Sequence, residues 1–363
     1  MDAKVRSVLV LRALDLGDML CAVPALRALR RGYPEAWIAL AGLPWAGAFA
    51  ERYDHLIDEF IEFPGYPGLP EQPFDTRRWE AFLRAVRTRR FDLAIQLHGS
   101  GAISNQVVSQ FEAGTIAGWY PDGTHLPPAE AFTSWVEHLS EVEQCLRVID
   151  ALRLQRAGTY LEFPSRPGDH QEFASIGLGP NEYVVLHCGA KWPSRRWPAE
   201  SFAELARRLA SMRIPVVLTG VEAERHITAR VREFAGETPI DLAGETSLGG
   251  FAEVLRNAAL VVTNDTGASH LAVAVGTPSV VVACGSDTAR WSPLDSRRHR
   301  TLALHVACRP CSFESCPYGH ECADVGVDVV ERHALELLDS TTFAPVSGIK
   351  KGPSVNFPRA LRS

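Results

Sequence analysis

Short, mostly apolar runs alternate with amphipathic stretches along this chain, and the alternation stops and then starts again. No other feature constrains the fold as much. The apolar runs at residues 8–11, 37–40 and 91–97 are too short for buried helices and have the character of strands buried on both faces. Between them, residues 19–31 carry Leu20, Val23, Leu26 and Leu29 on one stripe and stop at Gly32 and Pro34. Residues 77–90 form a second helical stretch, and strands alternating with helices imply parallel βαβ units. Residues 152–180 hold Pro164, Pro167 and Pro180 and show no strong period, so they read as a linker. The alternation then resumes. Strands are expected at 183–186, 214–219, 260–262 and 279–283, and helices at 199–211, 222–234, 250–257 and 268–275. The reading is an α/β protein of two Rossmann-like, parallel-sheet domains facing a central cleft. The first spans residues 1–165 and the second 166–340; residues 341–363, rich in Gly, Pro, Ser and Lys, form a poorly ordered tail.

A chain of 363 residues is long enough for two such domains, and its net charge of −6 argues against a nucleic-acid partner. Arg12, Asp15 and Asp18 interrupt the first apolar run far too early for a signal peptide, and no run approaches a membrane span. The expectation is a cytoplasmic protein.

Ligands of parallel sheets bind outside the carboxyl ends of the strands, and distinctive turns stand there. The loop after 183–186 carries Lys191, Arg195 and Arg196 before Pro198 opens a helix. After 260–262 comes Asn264-Asp265-Thr266-Gly267, a strand-to-helix turn with Asp265 as capping residue. The N–H groups beyond it would leave a helix N-terminus pointing at an anion. One cationic loop and one helix N-terminus can neutralise a diphosphate without a metal ion.

The motifs Leu16-Gly17-Asp18 through Pro24, Arg195-Arg196-Trp197-Pro198, Gly220 through Glu224-Arg225, and Asn264-Asp265-Thr266-Gly267 through His270 come in one order over nearly the whole chain. Together they resemble glycosyltransferase family 9, the ADP-heptose:lipopolysaccharide heptosyltransferases and their relatives. The resemblance implies a GT-B fold with an N-terminal acceptor domain and a C-terminal donor domain. It implies inverting transfer with no cofactor for catalysis. Asp18 would be the general base, with Asp15 as competitor; as plain chemistry Asp18 also suits a first helical turn. The family usually has Lys where this chain has Arg195, so among Lys191, Arg195 and Arg196 the diphosphate contact falls either to Arg195 or to the nearby Lys191, and an Arg pair also reads as solvated surface charge. Glu224, with Glu222 as alternative, would accept the ribose hydroxyls. Asp265, Thr266, Gly267 and His270 would complete the donor side, where His270 is equally well read as a packed histidine. Gly17, His98 and Ser100 fall on the acceptor side, and His98 and Ser100 read equally as caps of the next helix.

The partners so implied are an ADP-heptose-like donor and a lipopolysaccharide-core, other glycan or protein acceptor. The different-class alternative is a nucleotide-sugar-binding module that transfers nothing. A Rossmann oxidoreductase is weaker, because no G-x-G-x-x-G follows the first strand. Arginines 77, 78, 84, 87, 89 and 90 read first as a solvated face. Their second reading is peripheral contact with phospholipid head groups at the inner face of the inner membrane. Cys308, Cys311, Cys316 and Cys322 are spaced C-x2-C-x4-C-x5-C, which reads as a structural tetrahedral site for zinc or iron.

Overall fold

The computed structural model describes residues 5–121 and 131–340; the expected tail at 341–363 lies outside the described residues. The first half contains β1 Ser7–Leu11, α1 Leu16–Gly32, β2 Trp37–Gly42, α2 Ala46–Arg52, β3 Glu59–Glu62, α3 Thr76–Arg89, β4 Leu93–Gln96, α4 Ser104–Ser109, β5 Thr115–Tyr120, β6 Phe132–Ser134 and α5 Glu141–Ala151. The second contains α6 Pro167–Ile176, β7 Val184–His187, α7 Ala199–Ser211, β8 Val216–Thr219, α8 Arg225–Ala235, β9 Ile240–Asp241, α9 Leu248–Arg256, β10 Leu260–Asn264, α10 Gly267–Val275, β11 Ser279–Val282, α11 Thr288–Trp291, β12 His299–Leu302 and α12 Val327–Asp339.

Each half has its own parallel sheet. The first runs β3-β2-β1-β4-β5-β6 and the second β12-β11-β10-β7-β8-β9. In each, the first strand of the half lies centrally and the chain changes direction beside it, which is the doubly wound Rossmann order. The crevices at these switch points, between β1 and β4 and between β7 and β10, open at the carboxyl ends of the strands. The central strands are buried throughout, in keeping with their Val/Ile/Leu-rich composition.

Two expectations change. The segment 152–180 is not all linker, for α6 begins at Pro167, whose fixed φ suits a first helical turn. Phe173 and Ile176 of α6 pack against the core, and α6 lies along α9. Further, α1 begins at Leu16 rather than at residue 19, which places Asp18 within its first turn.

The halves meet where α1 lies against α10. Leu20 and Leu26 of α1 share one core with Leu271 and Ala272 of α10. Gly17 makes the approach close, since a β-carbon there would stand 2.7 Å from Cδ2 of His270. Both helices therefore bring their N-termini to one place.

Candidate active site

The β1–α1 turn is built around a buried arginine. Arg12 is fully enclosed and spends its guanidinium on the turn itself. Its Nε donates to the Asp18 carbonyl at 2.8 Å, Nη1 to the Leu97 carbonyl at 2.5 Å, and Nη2 to Oε1 of Glu141 at 2.9 Å. The same Nη2 stands 3.7 Å from Oδ1 of Asp18. Asp18 keeps only about a quarter of its side chain exposed. Burial pushes its carboxyl up to about 6, against the opposing pull of Arg12. Burial also works to raise Glu141, but Arg12 and Arg290 together hold that carboxyl below its ordinary value. From beneath, the backbone N–H of Ala13 donates to Nδ1 of His98 at 3.2 Å.

Across the cleft, Asn264 ends β10 and fixes the neighbouring loop. Its amide donates to the carbonyls of Cys188 at 2.9 Å and Gly189 at 3.0 Å, and its Oδ1 accepts from the N–H of Trp197 at 2.8 Å. The cap of α10 is Thr266 rather than Asp265; its hydroxyl accepts from the N–H of Ala268 at 3.3 Å. Threonine in an extended conformation can turn its oxygen back onto the helix, and the side chain of Asp265 is left to face the cavity. His270 is buried one turn along and touches Sγ of Cys21 through Nδ1 at 3.5 Å. Burial holds its imidazole below the ordinary value despite Asp265 and Glu141.

These groups surround a cavity of about 400 Å³ between the halves, within the range of small-molecule sites. Of the expected residues, Gly17, Asp18, Arg195, Asp265, Thr266, Gly267 and His270 line it, as does Asp15. Lys191 stands at its rim, donating to Oδ2 of Asp15 at 3.0 Å across the two halves. Arg195 donates to the Cys284 carbonyl at 3.0 Å and also to the carbonyl of Cys311. Arg196, His98, Ser100 and Glu224 do not line the cavity. Arg196 donates to the Ala190 carbonyl at 2.9 Å, and His98 supports the turn from below. Glu224 is buried where β7 and β8 end, with its carboxyl so close to Gly189 that a β-carbon there would lie 2.1 Å away. Glu222 instead points outward and pairs with Arg225 at 2.7 Å.

Sequence reasoning passed over Arg12, Trp135, Glu141, Asp287 and Arg290. Asp287 meets Nδ1 of His138 at 2.7 Å across the halves. Two carried a signal: Arg12 is a charge at the end of an otherwise apolar strand, and Asp287 caps α11 after the Gly285-Ser286 turn, whereas Trp135, Glu141 and Arg290 carried none.

The expected metal site is not formed as expected. Among the described residues, no three His, Cys, Asp or Glu are placed to hold a metal ion. Cys322 lies within electrostatic reach of Cys308, Cys311 and Cys316, yet it is buried while Cys308 is exposed. The loop is held by other means. Ser194 donates its N–H to the Glu314 carbonyl at 3.1 Å, and the Ser194 carbonyl is met by Nε2 of His320 at 3.0 Å. Six arginines from 77 to 90 are all exposed, and Arg78, Arg87 and Arg89 pair with Glu62, Glu112 and Glu59. No helix among the described residues is long and apolar enough to cross a membrane.

Residues 79–321 match the model of glycosyltransferase family 9 (heptosyltransferase). Lipopolysaccharide heptosyltransferase 1 of Pseudomonas aeruginosa is 27% identical over 338 residues, covering 86% of this chain and 87% of that protein. The ADP-heptose LPS heptosyltransferase II of E. coli superposes with a TM-score of 0.71 at 20% identity, over 92% of this chain and 99% of that one. A family 9 glycosyl transferase from Veillonella parvula superposes with a TM-score of 0.74 at 18% identity, over 94% and 99%. The two-sheet architecture is thus that of GT-B glycosyltransferases.

Proposed function

The chain belongs to glycosyltransferase family 9, and from that premise we propose that it moves a heptose, or a sugar of similar shape, from an ADP-linked donor to a hydroxyl of the lipopolysaccharide core, with inversion and without a catalytic metal. The observation that carries this reading is the placement of the Asp18 carboxylate and the N-terminus of α10 on one cavity.

On this reading the acceptor oxygen attacks the anomeric carbon as Asp18 takes its proton. The new C–O bond forms on the face opposite the breaking bond to phosphate, so configuration inverts. The electron pair of the broken bond leaves with ADP. The negative charge on the departing phosphate meets the N–H groups at the start of α10 and the guanidinium of Arg195. Lys191, released from Asp15 by a bound anion, adds a point charge at the rim. Glu224, anchored by the N–H of Val221 at 3.0 Å, would take the ribose hydroxyls where the donor extends beyond the cavity towards the ends of β7 and β8. A carboxyl near 6 is mostly ionised at neutral pH and still basic enough to accept a proton. The acceptor's lipid would hold the reaction at the cytoplasmic face of the inner membrane, with Arg77, Arg84 and Arg90 towards anionic head groups. Of the four clustered cysteines Cys311 borders the cavity and its carbonyl holds Arg195, and a structural zinc or iron would have to draw the four together.

The test is incubation of the purified protein with a panel of nucleotide sugars and heptose-deficient core acceptor, with and without chelator. Release of ADP and a product heavier by one heptose, of inverted configuration, is the expected result. Binding of ADP-sugars with no nucleotide released under any condition would reduce the protein to a binding module.

A further inference from the structure

Arg290 sits on α11 of the second half, but its ion-pair partner lies in the first. Its Nε donates to Oε2 of Glu141 at 2.8 Å, and its guanidinium carbon stands 4.9 Å from the centre of the Trp135 ring and 4.6 Å from that of Trp291. Glu141 is buried, so this is an ion pair removed from water rather than a surface contact. Its other oxygen accepts from Arg12, the guanidinium beside Asp18. Asp18, Arg12, Glu141 and Arg290 thus form one chain of alternating charge that crosses between the halves.

We propose that Arg290 is a positioning residue that makes the proton-accepting state of Asp18 depend on the docking of the two halves. The inference rests on the reading of Asp18 as general base. With Arg290 in place the cluster balances two carboxylates with two guanidiniums. Without it, one uncompensated negative charge stays buried next to the base and favours protonation of Asp18. Asp15 adds a further anion from the β1–α1 turn, compensated at the rim by Lys191. The thiols of Cys21 and Cys145, both pushed up by burial, and the imidazole of His270, held down by it, contribute no charge near neutrality. Arg290 is therefore the one member of the chain that a separation of the halves would remove. Docking thus delivers to the buried cluster the charge that keeps Asp18 able to accept a proton there.

The experiment is the pH profile of kcat/KM for Arg290→Gln, Arg290→Lys and Glu141→Gln, with ADP affinity and melting temperature measured alongside. Arg290→Gln should move the acidic limb up by about one unit, so that activity lost at pH 7 returns by about pH 9. Arg290→Lys, which keeps the charge, should leave the limb near its original place. Glu141→Gln removes a neighbouring anion and should move the limb down. A uniform loss at every pH, or weaker ADP binding with the limb unmoved, would overturn the inference and make Arg290 a structural or donor-contacting residue. Asp18→Asn is the control for the underlying reading. If it retains turnover, the general-base assignment fails; if it loses turnover while Arg290→Gln leaves the limb in place, only the present inference fails.

Discussion

Gly17 of α1 and His270 of α10 touch so closely that a β-carbon on Gly17 would come within 2.7 Å of the imidazole Cδ2. The contact sets how near the two halves approach, because each residue lies at the cleft end of its helix. Real side chains do not tolerate that distance, and His270 is too enclosed to move aside freely. Gly17→Ala should therefore wedge the halves apart and lower kcat/KM by roughly 10²-fold, the scale of an ångström's misplacement between reacting groups. Steady-state kinetics on Gly17→Ala and on Gly17→Ala/His270→Ala check it. The second change removes the obstructing ring and should restore part of the activity. Failure to restore any would locate the defect elsewhere.

Asp18→Asn should lower turnover by roughly 10²-fold or more while leaving ADP affinity nearly intact. The same variant should be more stable than the parent above neutral pH. The folded carboxyl sits near 6, above its ordinary 3.8, so what it contributes to stability is whole below about pH 3.8 and is lost as pH rises through about 6. Asparagine has no such loss, and its advantage should reach up to about 3 kcal/mol at pH 8 and vanish near pH 4. Denaturant melts at the two pH values measure it. Equal stability differences at both would remove the buried-charge explanation.

Much of this arrangement was legible in the sequence because it depends on local signals. A short apolar run followed by Gly-Asp or Asn-Asp-Thr-Gly marks its own strand and turn, although α1 starts earlier than expected and α10 is capped by Thr266 and not Asp265, and the role expected of Asp18 came from the family resemblance. The helix at 167–176 was hidden because its prolines and weak period imitate a linker, while its apolar residues matter only once α9 is beside them. Arg290 and Glu141 were hidden for a different reason. Their role is an ion pair between residues 149 positions apart, and nothing near either one announces the partner. Tertiary electrostatics of this kind leaves no local mark.

Arg195 and Lys191 divide the cationic role by geometry. Arg195 grips the carbonyls of Cys284 and Cys311, so it orders the cavity wall as well as facing into it. Arg195→Ala should weaken ADP binding roughly 10-fold and lower the melting temperature. Lys191 is largely exposed, and its pair with Asp15 contributes little to stability. Lys191→Ala should leave melting unchanged and act only on donor affinity, more strongly at low salt. Calorimetric titration with ADP at two ionic strengths separates the two. Unchanged affinity in Arg195→Ala, with the whole defect in Lys191→Ala, would reverse the assignment.

The cysteines of the loop that Arg195 grips should react in an order set by their surroundings. Cys308 is exposed and Cys311 and Cys316 are half-buried, whereas Cys322 is buried, which together with its neighbouring thiols raises it. Cys21 and Cys188 are pushed well up by burial, and Cys145 and Cys284 to about 12. Only the thiolate attacks a disulfide reagent, so in the native protein Cys308, Cys311 and Cys316 should be modified first and the other five slowly. Four thiolates around a metal would all be shielded together, and a chelator would both expose them and lower the melting temperature. The loop is instead stitched through Ser194 to His320 and Glu314, contacts that a chelator does not touch. Thiol titration and melting with and without chelator, with elemental analysis for zinc and iron, separate the two cases, and coincident titrations and melts would mean that these hydrogen bonds alone hold the loop. One ion per chain, with chelator-sensitive melting, would mean that a metal draws the loop tighter than the hydrogen bonds alone.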